Sequence, residues 1–211
     1  MHLTKEELHA ALVERHGADI QQKLDQASVG IAGLGGLGSN IAVHLARLGV
    51  GRLVLVDFDT VEVSNLNRQH YTMKDIGIPK TLALLEQLEA INPYLQYEPH
   101  TERVIPANAA RLFWDCDVIC EAFDRADQKA MLIETLLEQL PDTPIVSGSG
   151  MAGYGSANLM RTERRFGRLY VCGDGTSDIA DGIGLMAPRV ALCAAQQATM
   201  VLRLLLGHTD P

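Results

Sequence analysis

Cysteine is scarce and unpaired in this sequence: Cys116, Cys120, Cys172 and Cys193 form no C-x-x-C pair. The first ten residues carry charge where a signal peptide would be apolar, so the expected compartment is the cytoplasm. Positive charge is also short, with 18 Lys and Arg against 26 Asp and Glu, a formal net charge of −8. That balance excludes a general affinity for nucleic acid or for an anionic membrane, both of which attract proteins through clustered cations. Any anionic ligand must be held by local basic residues. Long apolar runs are missing: the best candidate, near Arg189 to Leu206, is broken by Gln196, Gln197 and Arg203 and reads as a buried C-terminal helix rather than a membrane span. There is no repeat and no low-complexity segment. What remains is 211 residues, 47% hydrophobic and 21% charged, enough for one well-buried core and short for two. The expected layout is an N-terminal helical arm over residues 1–27 and a single domain over 28–211.

The most informative segment is Gly33-Leu34-Gly35-Gly36-Leu37-Gly38, set between a β-type run, Ser28 to Ala32, and a helical one, Ser39 to Leu48. Glycine lets the chain turn tightly from strand to helix and brings bare N–H groups against an anionic oxygen. The spacing satisfies G-x-G-x-x-G. Asp57, at the end of the run Arg52 to Val56, stands 22 residues after Gly35, about the interval at which such an acid meets a ribose hydroxyl. Such turns also serve packing alone; here strand, turn, helix, strand and acid agree on a nucleotide, without saying which.

Along the chain, two short helices are expected between Leu3 and Leu24, interrupted at Gly17, as an arm able to pack on a partner subunit. A polar loop from Asp59 to Gly77 leads to a helix opened by Pro79 and stopped by Asn92-Pro93, then a strand near Leu95 to His100. A helix from about Pro106 to Trp114, a strand over Asp117 to Ala122, a helix from Ala126 to Gln139 and a strand from Pro144 to Ser147 follow. Later strands are expected near Ser156 to Arg161 and Gly167 to Cys172, antiparallel. Alternating strands and helices predict an α/β fold, a Rossmann-like, mostly parallel sheet with helices on both faces and antiparallel strands toward the C-terminus.

Two cations are expected to flank the phosphate loop, Arg68 within Ser64-Asn65-Leu66-Asn67-Arg68-Gln69 and Lys80 at the start of the Pro79 helix. A nucleoside triphosphate needs positive groups for its β- and γ-phosphates, and these two supply them. The plain alternatives are a surface ion pair for Arg68 and a solvated first-turn lysine for Lys80. Asp124 ends the fourth strand at the same sheet edge and suits Mg²⁺, which takes one or two carboxylates plus phosphate oxygens. Its alternative is an N-cap for the next helix.

With these residues assembled, the chain resembles the ThiF/MoeB/HesA group of carrier-protein adenylyltransferases, relatives of the ubiquitin-activating enzyme. The resemblance rests on Gly33 to Gly38, Gly49-Val50-Gly51, Asp57-Phe58-Asp59, Ser64 to Gln69, Lys80, Ile91-Asn92-Pro93 and Asp124, in the family's order and spacing. The ending, with Gly148 to Gly155, Cys172 to Gly175 and Gly184 to Arg189, looks like the short ThiF-like branch of thiamine biosynthesis. The resemblance implies an ATP-binding domain that adenylates the C-terminal glycine carboxylate of a small ubiquitin-like sulfur carrier protein ending in Gly-Gly, with release of pyrophosphate. By that analogy Gly33, Gly35, Gly36, Gly38, Asp57 and Asp59 bind the nucleotide, with Gly35 and Gly36 backing the phosphates and Asp57 holding the ribose, and Asn65 adds a phosphate contact. Arg68 and Lys80 stabilise the phosphate charge, and Asp124 holds Mg²⁺. It also implies a homodimer in which Arg15 reaches the partner's triphosphate.

Two departures from the pattern carry expectations. Longer relatives bind structural zinc through two C-x-x-C pairs; here Leu169 stands at the offset that would pair with Cys172, and zinc is not expected. Relatives that form a persulfide or thioester use a cysteine before the final helix, where this chain reads Thr176 to Ile183 without one. The chain is therefore expected to stop at adenylation. Two other readings compete: an NAD(P)-dependent oxidoreductase, which leaves Arg68, Lys80 and Asp124 without a shared task, and a non-catalytic nucleotide-binding regulator.

Overall fold

The computed structural model describes residues 3–211. Two helices open it, α1 (Lys5–His16), capped by the Thr4 side chain, and α2 (Ala18–Gln26). Then strands and helices alternate: β1 (Ser28–Ala32), α3 (Gly36–Leu48), β2 (Arg52–Val56), α4 (Lys80–Ile91), β3 (Gln96–His100), α5 (Pro106–Phe113), β4 (Val118–Glu121), α6 (Ala126–Gln139) and β5 (Ile145–Gly148). The chain closes with β6 (Arg161–Phe166), β7 (Leu169–Gly173) and α7 (Ala187–Leu205).

The strands form one seven-stranded sheet in the order β3-β2-β1-β4-β5-β7-β6. All neighbouring pairs are parallel except β6 with β7. β1 lies near the middle and is buried along its whole length, as its apolar run requires. One core packs Ile41, Leu45, Leu84, Leu88 and Val201 of α3, α4 and α7 on one face, and Leu24 of α2 belongs to it. The other face packs Leu112, Phe113, Leu132 and Leu136 of α5 and α6. Gly30 lets Phe113 close on β1: a Cβ there would lie 2.5 Å from Phe113 Cδ1.

One expectation is corrected. Residues 157–159 form a short 3-10 turn, because the Ser156 side chain accepts the Asn158 amide and curls the chain, so the strand begins only at Arg161. The antiparallel pairing expected near the C-terminus is that of β6 with β7, and the other edge of β7 runs parallel to β5. The long C-terminal helix is half buried, with Val190, Cys193, Ala194, Gln197 and Val201 inward. All four cysteines are free and buried. Among the described residues no helix is long and apolar enough to cross a membrane.

The sheet order reverses direction between β1 and β4, and the crevice outside their carboxyl ends is where such sheets bind ligands.

Candidate functional site

The crevice is a cleft of about 970 Å³, counting the space open to solvent. Its walls include Gly33, Gly35, Gly36, Asp57, Asp59, Arg68, Lys80 and Asp124, so one cavity brings together eight residues that lie far apart in sequence. Three of the expected site residues, Gly38, Asn65 and Arg15, are not among its walls.

The glycines divide the work by geometry. Gly33 has φ +90° and donates its N–H to the Val56 carbonyl at 2.8 Å, which locks the loop to the end of β2. Gly35 is open space toward the cleft, with only Gln69 Nε2 within 4 Å of where a Cβ would stand. Gly36 opens α3, whose first amides have no intrahelical partner and face an anion's natural place. Gly38 does something else: a Cβ there would lie 1.8 Å from the Gly33 carbonyl oxygen, so this glycine exists to seat the helix on the strand end.

Asp57 is only 8% exposed and both of its oxygens are engaged, Oδ2 by the Leu34 amide at 2.6 Å and Oδ1 by the Asp59 amide at 2.8 Å. Burial pushes its carboxyl above the ordinary range, opposed by Lys80 and those two amides. The acid thus braces the glycine loop, with one lone pair on each oxygen left over. Tyr71 completes the brace, its hydroxyl donating to the Leu34 carbonyl at 2.8 Å. Burial, with Asp57, Asp75 and Asp59 nearby, drives that phenol well above its usual range and keeps it a neutral donor.

The two cations differ. Lys80 is buried and its ammonium lies 3.0 Å from Asp59, whose carboxylate is half exposed at the cleft. The solvated-lysine alternative does not describe it. Arg68 makes no ion pair among the described residues; its Nη1 donates only to the Ser64 carbonyl and to Asn67 Oδ1. Asn65 is buried in the turn before it, where its Oδ1 accepts the Glu62 amide.

Asp124 is exposed and makes no side-chain hydrogen bond or ion pair among the described residues. It is not the N-cap of α6; Arg125 holds that position without a capping side chain. Behind it is a network that sequence reasoning missed. Glu121, fully buried on β4, accepts from Lys129 Nζ at 2.7 Å, Ser147 Oγ at 2.6 Å and the Phe123 amide at 2.8 Å. Lys129 also donates to the Phe123 carbonyl at 3.1 Å, so the turn that presents Asp124 is held from below. The one signal in the sequence was a glutamate inside a strand that is otherwise apolar. Among the described residues no cluster of three or more His, Cys, Asp or Glu could hold a metal ion by itself.

On the other rim the loops around Gly148–Gly155 and residues 173–186 are tied by a second buried pair. The Arg189 guanidinium contacts Asp174 and the Gly155 carbonyl, both partners bringing these loops together over Met151 and Leu185, which line the cleft. Arg15 sits exposed in the last turn of α1. Its neighbour His16 bonds Gln21, and Gln21 lies beside Gly49, at the amino ends of the strands. Within one chain, Arg15 and the cleft stand at opposite edges of the sheet.

A doubly wound sheet with a glycine loop at its switch point defines a Rossmann-like α/β domain with an anion-ready crevice. More particularly, the chain belongs to the ThiF family, whose pattern matches residues 7–211. It is similar to a sulfur carrier protein adenylyltransferase of Thermus thermophilus, 35% identical over 154 residues, covering 71% of this chain and 56% of that protein. It is also similar to the adenylyltransferase and sulfurtransferase uba4 of Emericella nidulans, 31% identical over 208 residues, covering 92% of this chain and 42% of that one. The chain therefore spans about half the length of these curated relatives. In fold it is similar to the E. coli tRNA N6-threonylcarbamoyladenosine dehydratase TcdA solved in complex with ATP, with a TM-score of 0.85 over 98% of this chain and 97% of that one, at 20% identity.

Proposed function

We propose that this chain adenylates the C-terminal glycine carboxylate of a small ubiquitin-like sulfur carrier protein ending in Gly-Gly, at the expense of ATP. The observation that carries the reading is the meeting, in one cleft, of the open glycine loop, unpaired Arg68, Lys80 and the unengaged Asp124. The family membership and the name of the Thermus relative support it. In the reaction a carboxylate oxygen of the carrier attacks the α-phosphorus, the bond from that phosphorus to the bridging oxygen breaks, and pyrophosphate leaves with the electron pair. An acyl-adenylate remains.

The protein's part is to hold and neutralise. The α3 amides and Gly35 take the phosphates, and Asp57 and Asp59 face the ribose. Arg68 and Lys80 spread the charge that builds on the leaving pyrophosphate. Asp59 already holds the Lys80 ammonium in place, which removes the need to order a long side chain during the reaction. Mg²⁺ fits this donor set, because it takes one or two carboxylates and fills its shell with phosphate oxygens. Asp124 is the residue that would hold it, and the ion would screen the phosphate charge.

Arg15 reaches a triphosphate only across a homodimer, since its own cleft lies at the other edge of the sheet. The loop from Thr176 to Ile183 has no cysteine and the four thiols are buried, which supports a chain that stops at the adenylate and leaves sulfur transfer to another protein. The pathway most in keeping with the C-terminal segments is thiamine biosynthesis, in the cytoplasm. Exchange of labelled pyrophosphate into ATP, dependent on the Gly-Gly carrier, tests the reading. ATP binding without exchange would favour a regulator, and tight NADH binding without exchange an oxidoreductase.

A further inference from the structure

We propose that Phe58 and Arg103 form the platform on which the base of the bound nucleotide stacks, so that Arg103 is a base-side residue and not a member of the phosphate clamp. The proposal rests on the nucleotide reading above and extends it to a residue pair at the β2–β3 end of the cleft.

The Arg103 guanidinium carbon lies 3.7 Å from the centroid of the Phe58 ring, and both side chains border the cleft. Phe58 is 45% exposed, a large apolar ring held at the surface between Asp57 and Asp59. Arg103 is exposed and makes no ion pair among the described residues, although its neighbour Glu102 is bound by Arg111 at 2.9 Å. A guanidinium is planar and weakly hydrated, so it lies flat on an aromatic face where an ammonium would not.

Position then assigns the ligand group. Phe58 follows β2 and Arg103 follows β3, whereas Gly35 and Gly36 follow β1, and the sheet runs β3-β2-β1. The stack thus stands at the β2–β3 end of the cleft, away from the glycine loop. A nucleotide with phosphates at the loop and ribose at the two acids extends its base toward the stack. Val56 and Val104 give that end of the cleft apolar walls suited to a flat heterocycle.

Isothermal titration of the intact protein with ATP, and with inorganic tripolyphosphate as a base-free probe, tests this. Arg103→Leu and Phe58→Leu are expected to weaken ATP on the order of tenfold while leaving tripolyphosphate within about twofold, with Arg103→Lys failing to restore ATP fully. If ATP and tripolyphosphate lose affinity equally in Arg103→Leu, the residue is a phosphate cation and the platform is wrong. If neither ligand is affected in either variant, the stack is surface packing only. Wild-type protein that binds neither ligand would sink the nucleotide reading itself, and the platform with it; that outcome is seen without any variant. Unchanged circular dichroism and melting temperature in the variants separate these effects from misfolding.

Discussion

The two ends of the same sheet handle charge in opposite ways. At the amino ends of the strands the charges around β2 are matched: Arg52 donates to both oxygens of Glu98, to Asp115 at 2.8 Å and to Ser28 Oγ at 3.0 Å. Asp117 accepts the Ser28 amide, and His9, Asp25, Gln21 and His16 form a chain of hydrogen bonds that clamps α1 to α2. At the carboxyl ends, Arg68 and Asp124 face the cleft without an opposite charge, and Arg103 rests on an aromatic ring. Unmatched charge is unfavourable for a fold to gather in one place. Its gathering in one cleft, beside amides that cannot be satisfied within the helix, marks where the missing partner binds.

Four experiments would break or sharpen this contrast. Arg68→Ala should lower carrier-dependent pyrophosphate exchange by roughly 100- to 1000-fold and leave the melting temperature nearly unchanged, since only loop contacts are lost; a large loss of stability instead would make Arg68 a structural residue. Gly38→Ala should cost about 3 kcal/mol in urea unfolding, because the added methyl meets a backbone carbonyl that cannot swing away. An unchanged midpoint would mean that the seat of α3 is slack. Arg52→Met should cost about 2 kcal/mol by leaving two half-buried carboxylates facing each other, with ATP affinity intact; loss of ATP binding would show that the ends are coupled.

The smallest effect concerns acid. Burial disfavours the Asp174 carboxylate, but the Ser177 and Thr176 amides, the Ser177 hydroxyl and Arg189 outweigh it and hold the group at about 2, below its ordinary 3.8. A depressed carboxyl contributes stability that is present above the unfolded value and lost as pH falls toward the folded one. Wild type should therefore lose stability between about pH 4 and pH 2 more steeply than Asp174→Asn. Parallel curves would show that this pair adds nothing.

Local signals made much of this legible beforehand. Gly33 to Gly38, Asp57 and Lys80 could be read because a turn, a strand-end acid and a helix start are each short-range features with narrow chemical requirements. The Glu121, Lys129 and Ser147 network was not readable, because it joins residues on β4, α6 and β5 that only the sheet order makes neighbours. The same holds for Phe58 and Arg103, brought together by the pairing of β2 with β3. Gly38 looked like its fellow glycines, and only the clearance to Gly33 shows that its task is packing. The strand expected at residues 156–161 slipped because the Ser156 side chain caps a short 3-10 turn over residues 157–159, which moves the strand start to Arg161.

The burial of all four cysteines also makes the molecule convenient to instrument. Desolvation pushes the thiols of Cys116 and Cys193 up to about 12 and that of Cys172 to about 11, leaving almost no thiolate to react at neutral pH. A single engineered thiol, such as Ser177→Cys in the loop tied down by Arg189, would therefore take a maleimide dye alone. The native chain needs no cysteine removed before a fluorescent reporter can follow that loop during titration with ATP or with a candidate Gly-Gly-ending protein.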